Sequence, residues 1–400
     1  MRYQISKHIQ FLHPEECSTI QLDTFVLQNR ILIRDTKDDR SFLVNPTIET
    51  FIKKFTVAKT LDEITAEIAA EVHTPVIDVK KIILPFFNHS KYRHFIVSEN
   101  YTEKEPSAVA SFAINTILDE YKIEKIIDVN SNIDVYMATD LNSANTVVIK
   151  LLKRPNEQAV EALKREYNFL ETLSKTGVTP LAYTFIERDK YTYFTQQFVD
   201  GLSLPQFIKR KKNTPKKLVL DIAAEIIEAF EKIHAENIVH GDIHPSNIIL
   251  TNKMQIKVLD FGLAIHHELE KDELINFGGA YFFMPPERIK KTTYKKFTRK
   301  PDFSSDVFQL GVVLYTFLYD AYPFNGITWE ELATAIKEKP IEFPPKSQYG
   351  FLVPEWLKNS IAMCVAKKPS ARFANAHELY NAISKKRMDN ASKIRSAIKI

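Results

Sequence analysis

Glycine is scarce in this 400-residue chain, with nine in all and none before Gly177. Where the first 176 residues must bring backbone close to a ligand, they have no glycine to do it with. Cysteine is nearly absent as well. Cys17 and Cys364 are too few for a disulfide framework or a zinc cluster, and they point to a reducing, cytoplasmic setting. No window reaches the ~18 apolar residues that a membrane span needs. Met1-Arg2-Tyr3-Gln4 leads into polar sequence rather than a secretory core. The net charge of +4 is too small to argue for nucleic acid. What remains is an ordinary globular balance, 44% hydrophobic and 26% charged, in a length that allows two or three domains.

Residues 1–100 read as a separate small α+β domain. Phe25 to Leu27, Ile31 to Ile33 and Phe42 to Val44 are short strand candidates, separated by polar turns. A helix then starts near Asn45-Pro46-Thr47, with Ile48, Phe51, Ile52 and Phe55 on one face. A second is capped near Thr60, and Pro75 opens a third with Val79, Ile82, Ile83 and Phe86 inward. A hairpin plus three helices is a winged-helix-like plan. The segments Phe42-Leu43-Val44-Asn45-Pro46-Thr47, Phe51-Ile52-Lys53-Lys54-Phe55 and Thr60-Leu61-Asp62-Glu63-Ile64 resemble the peptide chaperone of pyrroloquinoline quinone biosynthesis (PqqD-like). The likeness covers residues 22–97. It implies recognition of a leader peptide, such as that of a ribosomal precursor peptide, added as a strand to the small sheet. The segment up to Glu105 carries 14 Lys+Arg against 15 Asp+Glu, without the basic stripe of a DNA-binding winged helix.

Residues 101–119 read as a linker, and the pattern changes after it. Strand-like runs at Ile123–Val129, Val135–Thr139 and Val147–Leu151 precede a helix over Glu157–Leu173. Residues 120–200 thus form a β-rich small lobe and 201–384 a helical large lobe. A basic tail occupies 385–400.

Chemistry concentrates in the large lobe. In His240-Gly241-Asp242-Ile243-His244-Pro245-Ser246-Asn247, an Asp is followed five residues later by an Asn, and Asp260-Phe261-Gly262 comes 13 residues after Asn247. This is the register of a phosphotransferase: one carboxylate for the acceptor hydroxyl, one amide and one carboxylate for Mg²⁺. Val147-Val148-Ile149-Lys150 resembles the strand-lysine motif of protein kinases, with Glu166 as its partner on the next helix. Gly278 to Glu287 resembles the end of a kinase activation segment, Glu287 pairing with Arg372, and Asp306 matches the helix residue that braces the catalytic loop. The resemblance to eukaryotic-like bacterial protein kinases covers residues 120–384 and implies a bilobal fold. It also implies ATP and Mg²⁺ as cofactors and Ser/Thr acceptors on a peptide or protein. The implied roles are catalysis by Asp242, Lys150 and His244, metal binding by Asn247 and Asp260, and nucleotide contacts from Lys150, Glu166, Asn130, Asn247, Asp260 and the hinge residues Gln197 and Phe198.

The departures from that family are specific. The phosphate loop between Ile127 and Val135 has Asp128, Asn130 and Ile133 where glycines are expected, and Asp128 or Asp134 brings negative charge toward an anionic ligand. Gly241 replaces the arginine that commonly precedes the catalytic Asp, and residues 263–286 contain no Ser or Thr. Control by loop Ser/Thr phosphorylation is therefore not expected. His244 stands where a lysine is usual, and Ala280 where a threonine contacts the catalytic Asp. A small-molecule kinase of the aminoglycoside or choline type, or an ATP-binding pseudokinase scaffold, are the alternatives these changes leave. Basic runs at Lys209–Lys212 and Lys290–Lys300 read as solvated faces.

Overall fold

Two units make up the computed structural model, Met1–Ser107 and Ala108–Ile400. The residues it describes are 2–6, 9–12, 31–35, 40–44, 46–80, 95–98, 110–130, 132–188, 190–210, 213–268, 280–289, 300–325 and 329–385.

In the first unit, β1 (Arg2–Ile5), β2 (Ile9–Leu12), β3 (Ile31–Asp35) and β4 (Arg40–Val44) precede α1 (Pro46–Lys53), β5 (Lys59–Thr60), α2 (Leu61–Glu71) and β6 (Ile96–Ser98). They form two antiparallel three-stranded sheets, β2-β3-β4 and β5-β1-β6. That is more sheet than the expected hairpin. Arg2–Ile5 and Ile9–Leu12 are four-residue strands, too short to show a period, and their pairing partners lie far along the chain. The expected strand at Phe25 to Leu27 and the residues Ile82, Ile83 and Phe86 lie outside the described residues. Thr60 caps α2 as expected: its hydroxyl accepts the Glu63 N–H at 3.1 Å, and the Glu63 carboxylate accepts the Thr60 N–H at 2.7 Å. This reciprocal box satisfies two donors that a helix start leaves open, and such a cap is worth about 1 kcal/mol. Phe51, Ile52 and Phe55 bury their common face against Ile33, Ile64, Val79 and Phe95.

The second unit opens with β7 (Ile117–Leu118), β8 (Tyr121–Val129), β9 (Ile133–Asp140), β10 (Thr146–Leu152), α3 (Glu157–Leu173), β11 (Ala182–Glu187) and β12 (Thr192–Gln197). The sheet runs β11-β12-β10-β9-β8-β7, antiparallel throughout. The strand period of two sorts its residues: Asp134, Tyr136 and Ala138 of β9 all lie buried. Helix α3 spans the expected residues. Asn156 caps it, accepting the Ala159 N–H at 2.9 Å, and Leu163, Glu166, Leu170 and Leu173 form its buried face. Residues 110–119 are not a free linker. The Asn115 N–H donates to the Ile123 carbonyl of β8 at 2.8 Å, the Ile123 N–H donates to the Thr116 carbonyl at 2.9 Å, β7 pairs with β8, and Ala110 and Phe112 pack on the small-lobe core. Phe112 and the buried Leu118 supply the apolar surface that holds it down.

The large lobe consists of β13 (Gly201–Ser203), α4 (Leu204–Arg210), α5 (Lys216–Ala235), β14 (Ile238–Val239), β15 (Ile248–Thr251), β16 (Ile256–Val258), β17 (Ile265–His266), α6 (Phe303–Tyr319), α7 (Trp329–Glu338) and α8 (Glu355–Cys364). Helix α6 is the central one and nearly all of it is buried. Gly311 lets it pass α8 closely, since a Cβ there would lie 2.6 Å from the Cys364 Cβ. Among the described residues no helix is long and apolar enough to cross a membrane. The run 290–299 and the tail beyond residue 385 lie outside them.

Candidate active site

Lys150, on β10, meets two carboxylates from different elements. Its Nζ lies 2.6 and 2.7 Å from the Glu166 oxygens on α3 and 3.0 Å from Asp260 Oδ1. Burial works against the lysine charge, but Glu166 and Asp260 outweigh it and raise its pKa above the ordinary range. Lys150 in turn holds the half-exposed Asp260 carboxyl down at about 2. Burial pushes the Glu166 carboxyl up against the pull of Lys150. Gly262 leaves room for this cluster, because a Cβ there would come within 3.2 Å of Asp260 Oδ1.

The catalytic-loop motif is held between two strands and a helix. β14, before it, pairs with β17, after Asp260-Phe261-Gly262, and this brings the two motifs together. Asp306 of α6, fully buried, accepts the His240 N–H at 2.7 Å and the Gly241 N–H at 2.9 Å. Gln309, one turn further along α6, accepts the Ile243 N–H at 3.0 Å. His234 completes the brace: it accepts the Ala376 N–H at Nδ1, which leaves Nε2 to donate to Asp306 at 3.1 Å. Buried Arg288 donates to the Gly241 carbonyl at 3.2 Å. Gly241 itself has φ +77°, and a Cβ there would lie 2.7 Å from the Leu263 carbonyl oxygen. Glycine therefore belongs to this loop path, and an arginine does not fit it as it stands.

Asp242 is the carboxylate that this brace presents. Its Oδ1 accepts the Ala280 N–H at 3.0 Å, so the backbone supplies the contact that a threonine side chain makes in the resembling family. His244 Nε2 lies 3.9 Å from Asp242 Oδ2. Burial lowers the His244 pKa from its usual value, and the neighbouring Asp242 only partly offsets this. A permanently charged His244 at neutral pH is therefore not what this geometry favours.

Two expectations around the nucleotide change. Asn130 was expected to face phosphates. Instead its Oδ1 accepts the N–H groups of Asn132 and Ile133 at 2.9 and 2.8 Å, and its own N–H donates to the Ile133 carbonyl at 3.0 Å. The amides that a glycine-rich loop would offer to phosphates close on the hairpin itself. Asp128 or Asp134 is expected to bring negative charge toward the ligand, and for Asp134 this does not hold. The pleat turns it inward, where Lys153 lies 2.9 Å away, while Asp128 remains exposed. At the hinge, the Gln197 N–H is taken by the Leu181 carbonyl at 2.8 Å, and the β12 ladder ends there, so Phe198 lies beyond sheet pairing.

The donor set suits Mg²⁺. Asn247 donates its amide to the Asp242 carbonyl at 3.2 Å, and its amide oxygen accepts no hydrogen bond among the described residues. The same holds for Asp260 Oδ2. Hard oxygen donors of this kind fit a small divalent cation whose shell is completed by water and phosphate oxygens. Among the described residues no group of three or more His, Cys, Asp or Glu side chains stands ready to hold a metal.

Sequence reasoning missed Gln309, Arg288 and His234. Gln309 lies three residues after Asp306 on the same helix face, and Arg288 directly follows Glu287. Both positions were legible as candidates, but their partners were not.

The fold and site define a kinase-like bilobal unit, and comparison with known proteins agrees. The protein kinase domain family matches residues 121–382, and the chain belongs to that family. A probable serine/threonine-protein kinase of Clostridium perfringens is 30% identical over 261 residues, covering 64% of this chain and 36% of that protein. The serine/threonine-protein kinase PrkC of Bacillus subtilis is 27% identical over 269 residues, covering 66% and 40%. A serine/threonine-protein kinase of Schizosaccharomyces pombe is 24% identical over 263 residues, covering 65% and 81%. The chain thus spans less than half the length of the two bacterial relatives. The first unit lies outside the family match.

Proposed function

We propose that this chain is an ATP- and Mg²⁺-dependent protein kinase acting on Ser or Thr hydroxyls of a peptide or protein. The observation that carries the reading is Lys150 held at once by Glu166 and Asp260, in a unit where Asp242 is oriented by the Ala280 N–H. In this reading Lys150 meets the phosphates nearest the nucleoside. Asp242 accepts a hydrogen bond from the acceptor hydroxyl and takes its proton. Asn247 and Asp260 hold Mg²⁺, which, when bound, neutralises charge on the phosphates. Gln197 and Phe198 line the adenine end. His244 lies beside Asp242, within reach of the transferred group. The test is intact mass after incubation with Mg·ATP and Ser/Thr peptides, beside Asp242→Asn. Phosphate added by the parent protein alone supports the reading. Bound Mg·ATP with no transfer to any peptide would favour the scaffold alternative.

A finer form of the reading gives residues 1–100 the capture of a peptide, such as a ribosomal precursor peptide. Its support is the resemblance of residues 22–97 and the two small antiparallel sheets, whose outer strands can accept an added strand. Tethering would raise the effective concentration of the acceptor. Deleting residues 1–107 should then raise KM for leader-bearing peptides and leave short peptides unaffected, and equal effects on both would remove the idea.

A small-molecule acceptor is the second reading. It is favoured by His244 in place of lysine and by Ala280, whose contact to Asp242 is backbone alone. Turnover of metabolites with inert peptide controls would decide for it.

A further inference from the structure

Residues 110–112 grip the small-lobe sheet beside the phosphate hairpin through a charge that has no exposure to solvent. Asp134 is the second residue of β9 and is 0% exposed. Its Oδ2 accepts the Ser111 N–H at 2.8 Å and the Tyr136 hydroxyl at 2.9 Å, and its Oδ1 lies 2.9 Å from Lys153 Nζ. Tyr136, also fully buried, accepts the Phe112 N–H at 3.0 Å. The Phe112 ring stands edge-on to Tyr191, 6.1 Å between centroids, and Ala110 packs on the same core. On the other side of the hairpin mouth, the Lys153 backbone N–H donates to the Asn132 carbonyl at 2.8 Å. One carboxylate thus joins the segment 110–112, the strand that leaves the hairpin, and a lysine whose backbone N–H holds Asn132 of the hairpin.

A buried charge costs free energy unless it is paired and fully hydrogen-bonded, and an apolar residue would stabilise the same space at least as well. Packing alone therefore does not account for Asp134. A buried carboxylate held by two hydrogen bonds at one oxygen and an ion pair at the other does specify one geometry. The hairpin has a use for that. With its Asn132 and Ile133 amides closed on Asn130, it cannot be positioned by the phosphates those amides would otherwise bind.

We propose that residues 110–112 are a strap that sets the position of the phosphate hairpin through Asp134, so that Asp134 is a positioning residue for ATP binding. The inference rests on the reading that the cleft takes ATP. Along the chain the strap follows the first unit, which ends at Ser107, so it is also where the kinase unit joins the rest of the protein.

The test uses the full chain and two readouts: Mg·ATP affinity by titration calorimetry, and backbone hydrogen exchange across residues 129–135. Asp134→Asn keeps the shape and removes the charge that Ser111, Tyr136 and Lys153 share. It is expected to speed exchange across 129–135 and to weaken Mg·ATP binding by about 10- to 150-fold, the scale of one lost charge-assisted hydrogen bond. If the wild type turns over, kcat at saturating ATP should stay within about twofold, because ordering of the binding site and not the transfer step is affected. Tyr136→Phe deletes one hydroxyl from an otherwise intact core. It should act in the same direction more weakly, and it decides the matter if Asp134→Asn does not fold. Ile123→Val, a core truncation in β8, is the control: it should lower the melting temperature and leave both readouts alone. Unchanged exchange across 129–135 in Tyr136→Phe overturns the proposal, and so does faster exchange with unchanged affinity. A wild type that binds no Mg·ATP at all marks failure of the underlying reading instead, and takes the ATP role of the strap with it.

Discussion

Arg372 clamps Glu287 in a bidentate pair, Nη1 to Oε1 at 2.8 Å and Nη2 to Oε2 at 2.7 Å. Its other hydrogen bonds go to the carbonyls of Ala366, Lys367 and Ser304, and its guanidinium lies 4.9 Å from the Phe308 ring centroid. Both partners are largely buried, so the pair ties the segment ending at Glu287 to the region after α8.

Breaking that pair from one side leaves a charge with no partner. Arg372→Ala should destabilise the large lobe by about 3–5 kcal/mol. Arg372→Lys should recover only part of this, because a point charge cannot reproduce the fork. Denaturant unfolding with an unchanged m-value measures both. A loss below about 1 kcal/mol for Arg372→Ala would mean the pair behaves as a surface bridge.

Asp242→Asn keeps an oxygen for the Ala280 N–H but cannot take a proton. Phosphate transfer should fall by about 10²–10⁴-fold, the range for a positioned general base. Mg·ATP affinity, measured separately, should stay near the parent value. A variant that still transfers at a tenth of the parental rate or more would move the base elsewhere, about 1.4 kcal/mol or less being too small a contribution for it.

Lys150→Met removes the cation that contacts both Glu166 and Asp260. The two carboxylates then face each other without compensation, and the Asp260 pKa should climb from about 2. The kcat/KM for ATP should drop by about 10²-fold or more, in line with loss of a phosphate-contacting charge. Glu166→Gln leaves Lys150 one carboxylate and should cost less. Steady-state kinetics on both variants checks the order.

Gly241→Arg restores the residue usual at this position and should harm the protein. The φ of +77° and the Leu263 carbonyl oxygen 2.7 Å from a Cβ predict about 1–3 kcal/mol of strain. Gly241→Ala should show most of it. A variant at full stability would reveal that the loop can relax.

His244 sets a pH prediction. Its folded pKa lies below the ordinary 6.5 because burial disfavours the imidazolium. The unfolded chain therefore binds more protons around and below that pH, so this contribution to stability is present above 6.5 and is lost as pH falls below it. The rate should not change with His244 titration above neutral pH, since the ring is already neutral there. Melting temperature and kcat from pH 5 to 8, for the parent and His244→Gln, test this. A kcat that falls steadily from pH 7 to 8 in the parent but not in the variant would mean a charged His244 does the work.

Much of this was legible in the linear chain. Helix Glu157–Leu173 could be read to the residue, because its apolar stripe is carried by near neighbours in the chain. The strands at β8, β9 and β10 were displaced by only one or two residues, since a period of two shows within a short run. Asp242, Asn247 and Asp260 could be found because their chemistry requires fixed short spacings. Glu166 could be matched to Lys150 because its helical neighbours Leu163 and Leu170 placed it on the inner face.

Folding decided the rest, and always for the same reason. Whether Asn130 turned to phosphate or to its own hairpin depended on a local closure that competes with ligand binding. Whether Asp134 was a surface charge or a buried anchor depended on Ser111, 23 residues away, and Lys153. The need for glycine at 241 lay in the path of Leu263, and the brace of the catalytic loop in Asp306 and Gln309, more than 60 residues on. Periodicity and spacing are carried by neighbours in the chain. Burial, pairing and strain are carried by neighbours in space, and the two sets coincide only within single helices and strands.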